Sequence, residues 1–159
     1  MITIREAGER DAAGIAKLFA VVFAREISEA EVRWKYARSW NGASFVAEEN
    51  GRIVAHYGAL PRVWRSAGRS GTAMIAVDAM TDPSHRGRGL FGSLIADARR
   101  TWRERGASVV LGLPNSERVA QAQALEPIAR LELGRWQAHV EPPRQLERLI
   151  APGAWRAVR

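Results

Sequence analysis

The chain of 159 residues has the length of one compact domain, and a hydrophobic content of 47% is enough to bury a core. Its formal charge of +7 comes almost wholly from arginine, lysine occurring only at Lys17 and Lys35, so compositional bias accounts for the charge better than a surface for a polyanion does. The lack of cysteine excludes disulfides, thiolate metal sites and a cysteine nucleophile.

His56, His85 and His139 lie far apart, without the i,i+4 spacing of zinc ligands, so no metal is expected. No apolar run reaches the length of a membrane span, and MITIREAGER is too polar and acidic for a signal peptide. The expected location is the cytoplasm, with no membrane partner.

In chain order, Ile2 and Ile4 alternate with polar residues and predict a short strand. Ile15, Leu18, Phe19 and Val22 then recur at helical spacing and predict a helix over 11–23. Ser28 and Glu31 form a capping box that opens a second, short helix carrying Val32, Trp34 and Tyr36.

SFVAEE, Asn50-Gly51 and RIVAHYGALPRVWR read as a β-hairpin, because Asn-Gly supplies the positive φ angles of a type I′ turn. A second turn is expected over Ser66–Gly71, followed by a strand TAMIAVDAMT that is covered on both faces. From Leu90 the residues Phe91, Leu94, Ile95, Ala98 and Trp102 share a helical face, and Gly106 stops that helix. ASVVLGL follows as a buried strand parallel to the one before the helix. Beyond Pro114 the pattern weakens. SERVAQAQAL suits a helix, Gly134–Val140 a strand, and the tail a further helical turn or two. Nothing marks a linker or repeat, so 1–159 is read as a single domain.

HRGRGLFGSL carries Gly87, Gly89 and Gly92 at the G-x-G-x-x-G spacing of a dinucleotide fingerprint. That fingerprint needs its first glycine at the end of a strand and an acid at the end of the next strand. DPSHR intervenes here, and the next strand ends LGLPN without an acid. No Gly-Lys-Ser/Thr follows, which excludes a P-loop. What remains is a loop whose backbone N–H groups crowd around an anion and which feeds a helix N-terminus, with Arg86 and Arg88 adding charge. The bland alternative is a helix start that uses glycine only for its turn.

TDPSHRGRGLFGSLI resembles the Arg/Gln-x-x-Gly-x-Gly/Ala segment of the GNAT superfamily of acetyl-coenzyme A (acetyl-CoA) dependent N-acetyltransferases. ITIREAGERDAAGIAKLF resembles that family's first strand and helix, and VAEENGRIVAHYGAL its second hairpin. The Trp34–Tyr36 triplet WKY, Phe91, and GLPN at Gly112–Asn115 resemble a subgroup linked to aminosugar or polysaccharide modification. The resemblance implies an α/β (α+β) fold, with a mixed, mostly antiparallel central sheet, helices on both faces and a splayed parallel strand pair. It implies acetyl-CoA as co-substrate, its pantetheine arm on the main chain of Ala79, Met80 and Thr81. Its pyrophosphate would lie on Arg86, Gly87, Arg88, Gly89, Leu90, Phe91 and Gly92, with Asn115 facing the cofactor or capping a helix.

Acyl transfer to an amine needs a base, a polarised carbonyl and a proton for the thiolate. The candidate bases are Asp78, His56, Glu48 and, more remotely, Glu49. Asp78 lies inside an apolar strand, where loss of hydration makes a carboxylate a stronger base; the alternative is a structural hydrogen bond or ion pair. For His56 the alternative, and the preferred reading, is packing in the hairpin. The family's usual tyrosine acid is missing from Ser116–Trp136. Trp34, Tyr36, Trp40 and Trp64 could line an acceptor site or fill the core. The expected partner is a small-molecule amine, with no nucleic acid, and a homodimer is one way to complete the sheet. A CoA-binding module without catalysis and a nucleic-acid binder are the alternatives.

Overall fold

The computed structural model describes residues 1–36 and 43–112, all within a compact unit Met1–Glu126. The elements are β1 (Ile2–Glu6), α1 (Ala12–Phe23), α2 (Glu29–Tyr36), β2 (Ser44–Glu49), β3 (Arg52–Ser66), β4 (Arg69–Thr81), α3 (Leu90–Glu104) and β5 (Ala107–Gly112). Single 3₁₀ turns occupy Glu9–Asp11 and Pro83–His85. Trp40, Asn115 and every feature read beyond Gly112 lie outside the described residues.

Local chemistry sets most boundaries. The Asp11 carboxylate accepts the Gly8 N–H at 2.8 Å, closing the turn before α1. The capping box forms as expected: the Glu31 N–H donates to Ser28 Oγ at 3.1 Å, and the Ser28 N–H to Glu31 Oε2 at 2.7 Å. Asn50 (φ 51°) and Gly51 (φ 77°) make the tight turn between β2 and β3.

The second hairpin is tighter than its polar sequence suggests. Ala67 (φ 47°) and Gly68 (φ 75°) alone turn the chain, and pairing resumes at once with Ser66 opposite Arg69. Pairing satisfies the backbone groups that a longer loop would expose, so strand structure extends through Arg69, Ser70 and Gly71. Pro61 stands in the part of β3 beyond Gly58, the last residue paired with β2, where a missing N–H costs least.

The sheet order is β1-β2-β3-β4-β5, antiparallel throughout except for the parallel pair β4–β5. Helices cover both faces. On one, Ile15, Leu18 and Phe19 of α1 and Val32 and Tyr36 of α2 pack with Val46, Ile53 and Met80. On the other, Leu94, Ile95, Ala98 and Trp102 of α3 pack with Phe45, Ala47, Ala55 and Tyr57. Each buried Val, Leu, Ile, Phe or Met among these contributes on the order of 1.5–3 kcal/mol of apolar burial. Parallel pairing runs from Thr72/Ala107 to Ala76/Gly112, whereas β4 continues to Thr81. Val77–Thr81 therefore extends past the last described β5 partner, at the end where the chain enters α3.

Candidate functional site

The β3–β4 ladder breaks at this end. Gly58 pairs with Val77 and His56 with Met80, so Asp78 and Ala79 face the single residue Tyr57. This is a β-bulge, and Asp78 takes φ 49°, a left-handed conformation that aspartate tolerates better than most residues. The bulge shifts the alternation of faces. Val77 and Met80 both pack toward α1 and α2, while Ala76 and Ala79 pack toward α3.

A polar cluster gathers at the bulge. The Asp78 carboxylate accepts hydrogen bonds from Lys35 Nζ at 2.6 Å and from the Tyr36 hydroxyl at 2.8 Å, both delivered by the last turn of α2. Gly58 makes that approach possible, since a Cβ there would collide with the Tyr36 hydroxyl and stand 2.9 Å from His56 Cε1. Burial and then the neighbouring Asp78 charge push the Tyr36 pKa well above the usual phenol range, so Tyr36 stays a donor.

His56 is fully buried, with Nδ1 2.8 Å from the Asp78 carbonyl oxygen. A carbonyl can only accept, so Nδ1 carries the proton and Nε2 accepts from the Ser44 hydroxyl at 2.6 Å. Burial holds the His56 pKa below its ordinary value, which keeps the ring neutral. His56 thus braces the bulge from beneath, both nitrogens engaged.

Glu48 stands elsewhere. It accepts from Arg5 Nε at 3.1 Å and Nη2 at 2.5 Å, while Arg5 also makes two 2.8 Å bonds to Asp11. Burial works to raise the Asp11 pKa, but Arg5 and the Gly8 N–H outweigh it and hold the carboxyl low. This network ties β1, the first turn and β2 together, apart from the cluster at Asp78.

After Thr81 the chain is clamped to the β2–β3 hairpin. Buried Asp82 accepts from the Ser84 N–H at 2.9 Å and the Ser84 hydroxyl at 2.6 Å, pairs with Arg52, and donates its own N–H to the Val54 carbonyl at 2.8 Å. His85 Nε2 lies 2.9 Å from Glu49 Oε2, and its Nδ1 2.8 Å from Ser84 Oγ. The Ser84 hydroxyl and N–H hold the Asp82 pKa below the usual carboxylate range, and His85 does the same for Glu49.

From this anchored turn Arg86, Gly87, Arg88 and Gly89 swing out exposed. Gly87 (φ 76°) and Gly89 (φ 75°) occupy the left-handed region, and a Cβ at Gly87, Gly89 or Gly92 would meet nothing within 4 Å. The first helical bond runs from the Ser93 N–H to the Gly89 carbonyl, so Leu90, Phe91 and Gly92 have N–H groups without an α-helical acceptor. The Phe91 ring turns inward and meets Tyr57 edge-on at 5.9 Å, leaving its backbone for the mouth of the loop. The Tyr57 pKa is pushed up to about 12 by burial. Open glycines, N–H groups at a helix start and two arginines fit a pyrophosphate.

Of the aromatic residues considered for an acceptor surface, Trp34 is 81% exposed and Tyr36 is core. Trp64 Nε1 donates to Ser108 Oγ at 2.7 Å. A groove of about 440 Å³ between α1 and the β2–β3 turn, lined by Lys17, Leu18, Arg52 and Asp82 among others, includes neither Asp78 nor the loop glycines. Among the described residues no cluster could hold a metal ion, and no helix is long and apolar enough to cross a membrane.

Lys35 and Ser44 are the site residues that sequence reasoning missed. Lys35 is one of the chain's lysines and adjoins Tyr36, but nothing local says that the end of α2 meets β4.

A family model described as an acetyltransferase (GNAT) domain matches residues 3–122. A Trypanosoma brucei acetyltransferase superposes with a TM-score of 0.67 at 21% identity, covering 87% of this chain and 100% of that one. Glucosamine-6-phosphate N-acetyltransferase from Arabidopsis thaliana gives 0.66 at 16% identity, covering 86% and 98%. A predicted acetyltransferase from Clostridium acetobutylicum, solved with acetyl-CoA, gives 0.66 at 19% identity, covering 84% and 96%. At such identities the likeness is one of fold. No curated protein matches the sequence.

Proposed function

Because this chain belongs to the GNAT acetyltransferase family, we propose that it transfers an acetyl group from acetyl-CoA to the primary amine of a small molecule, an aminosugar being the favoured class. In this reading 1–159 is one acyltransferase domain. The observation that carries it is the bulge at Asp78, set on the stretch of β4 beyond the described β5 pairing, at the end of the strand that leads into the open glycine loop.

Ala79, Met80 and Thr81 offer main-chain groups to the pantetheine arm. The N–H groups from Gly87 to Gly92, with Arg86 and Arg88, hold the pyrophosphate. Acetyl-CoA supplies the thioester carbonyl that the amine attacks. A backbone N–H near Met80 or Thr81 polarises that carbonyl, as an oxyanion-hole donor does. Asp78, whose side chain keeps 14% of its surface exposed, receives the proton of the incoming amine. His56 holds the Asp78 carbonyl and so sets the turn of the bulge; Glu48 steadies the sheet behind it. Water can return a proton to the departing thiolate.

The aminosugar reading rests on WKY, Phe91 and GLPN, and the Arabidopsis enzyme, named for such a substrate, has a similar fold. The test is a thermal-shift screen with CoA, acetyl-CoA and NAD, since a ligand of the native state raises the melting point by mass action. Stabilisation by CoA and acetyl-CoA is expected; stabilisation by NAD alone overturns the reading.

The Lys35 ammonium on Asp78 favours a second reading, a CoA-binding module without transfer. Release of free thiol from acetyl-CoA over a panel of amines separates the two.

A further inference from the structure

Among the described residues, the amine that sits on the proposed base belongs to the chain itself. Lys35 Nζ lies 2.6 Å from Asp78 Oδ2, the position an acceptor ammonium must take to hand over its proton. The backbone beneath it is fixed, because the next residue, Tyr36, is fully buried and bonds the same carboxylate oxygen. The Lys35 side chain keeps 27% of its surface exposed and ends on a flexible four-carbon stem, so Nζ can swing about Asp78 toward the bulge. Lys17 on α1 is exposed and forms no ion pair with a carboxylate among the described residues, which leaves it a built-in comparison.

We propose that Lys35 is a modification site and that the chain acetylates it in cis from acetyl-CoA. The inference rests on the acetyltransferase reading. Asp78 takes one proton from the Lys35 ammonium, and the freed nitrogen lone pair attacks the thioester carbonyl. A C–N bond forms and the C–S bond breaks. The sulfur leaves with the bonding pair and takes up a proton, giving free CoA, and the nitrogen keeps one hydrogen as a neutral amide. The product has lost the Lys35 charge, so the Asp78 carboxylate no longer has its ion-pair partner.

The experiment incubates the full chain with acetyl-CoA and no added amine, then removes the ligand and maps the acetyl mass increment by peptide mass spectrometry. Expected are one acetyl group on Lys35, little on Lys17, a rate independent of protein concentration, and loss of the mark in Asp78→Asn. Lys35→Arg should leave the chain unmarked while the CoA-induced thermal shift persists. Equal labelling of Lys17 and Lys35, or a rate that rises with protein concentration, overturns the proposal. A CoA thermal shift with no acetyl on Lys35 overturns it and leaves the acetyltransferase reading standing; no CoA shift at all overturns both.

Discussion

His56 Nδ1 donates to the backbone carbonyl of Asp78 across 2.8 Å, so a neutral, fully buried ring fixes the one residue of β4 that takes a left-handed turn. The ring and the bulge depend on each other. A positive φ at a non-glycine residue costs on the order of 1–2 kcal/mol and persists only where surroundings hold it.

This coupling has a pH signature. The folded His56 pKa lies below its unfolded value of about 6.5, so the unfolded chain binds the proton more readily. The resulting stability is full above about pH 6.5 and declines as pH falls toward the folded value. Asp82 and Glu49, whose pKa values are also lowered, lose their contribution only below the ordinary carboxylate pKa of about 4. Thermal melts from pH 8 to 5 should show a loss below about 6.5 that His56→Gln flattens; the same loss in the variant would exclude His56 as its source.

Asp78→Asn should lower kcat roughly 10²–10⁴-fold, the usual worth of a positioned base, while the CoA thermal shift stays intact. Asparagine also tolerates a left-handed φ, so the bulge survives the change. Steady-state kinetics over an amine panel measure the loss, and an unchanged kcat removes Asp78 from the chemistry.

Gly92→Glu separates fold from ligand. The position has open space around it, and a carboxylate in the first turn of α3 suits the helix dipole, so the melting point should hold or rise slightly. The same charge repels a pyrophosphate, and the CoA shift should vanish. A retained shift would show that the glycine loop does not hold the phosphates.

Gly58→Ala places a methyl group against the Tyr36 hydroxyl and His56 Cε1. Overpacking of this kind costs typically 1–3 kcal/mol, and it pushes Tyr36 off Asp78. Denaturant unfolding should show that loss together with reduced turnover; a fully active, equally stable variant would refute the close approach.

Much of the site's frame was legible in the chain. The Arg86–Gly92 loop declares itself because left-handed glycines and a helix start are local properties, and the Ser28–Glu31 capping box and Asn50-Gly51 turn likewise depend on near neighbours alone. Phe91 was legible as well: the 3.6-residue period puts it on the face of Leu94 and Trp102, and the ring does pack inward on Tyr57. The polar turn before β4 misled, because cross-strand pairing overrode the preference of Arg69, Ser70 and Gly71 for a loop.

Helical period, strand alternation and turn chemistry act over a few residues, so the described elements, their order and the glycine loop before α3 could be read from the chain alone. The surroundings of Asp78 come instead from long-range contacts. Lys35 and Tyr36 are more than 40 positions away, and Ser44 reaches the cluster through His56. A β-bulge slips the register by one residue and so reassigns which side chains share a face, and no local pattern announces that slip.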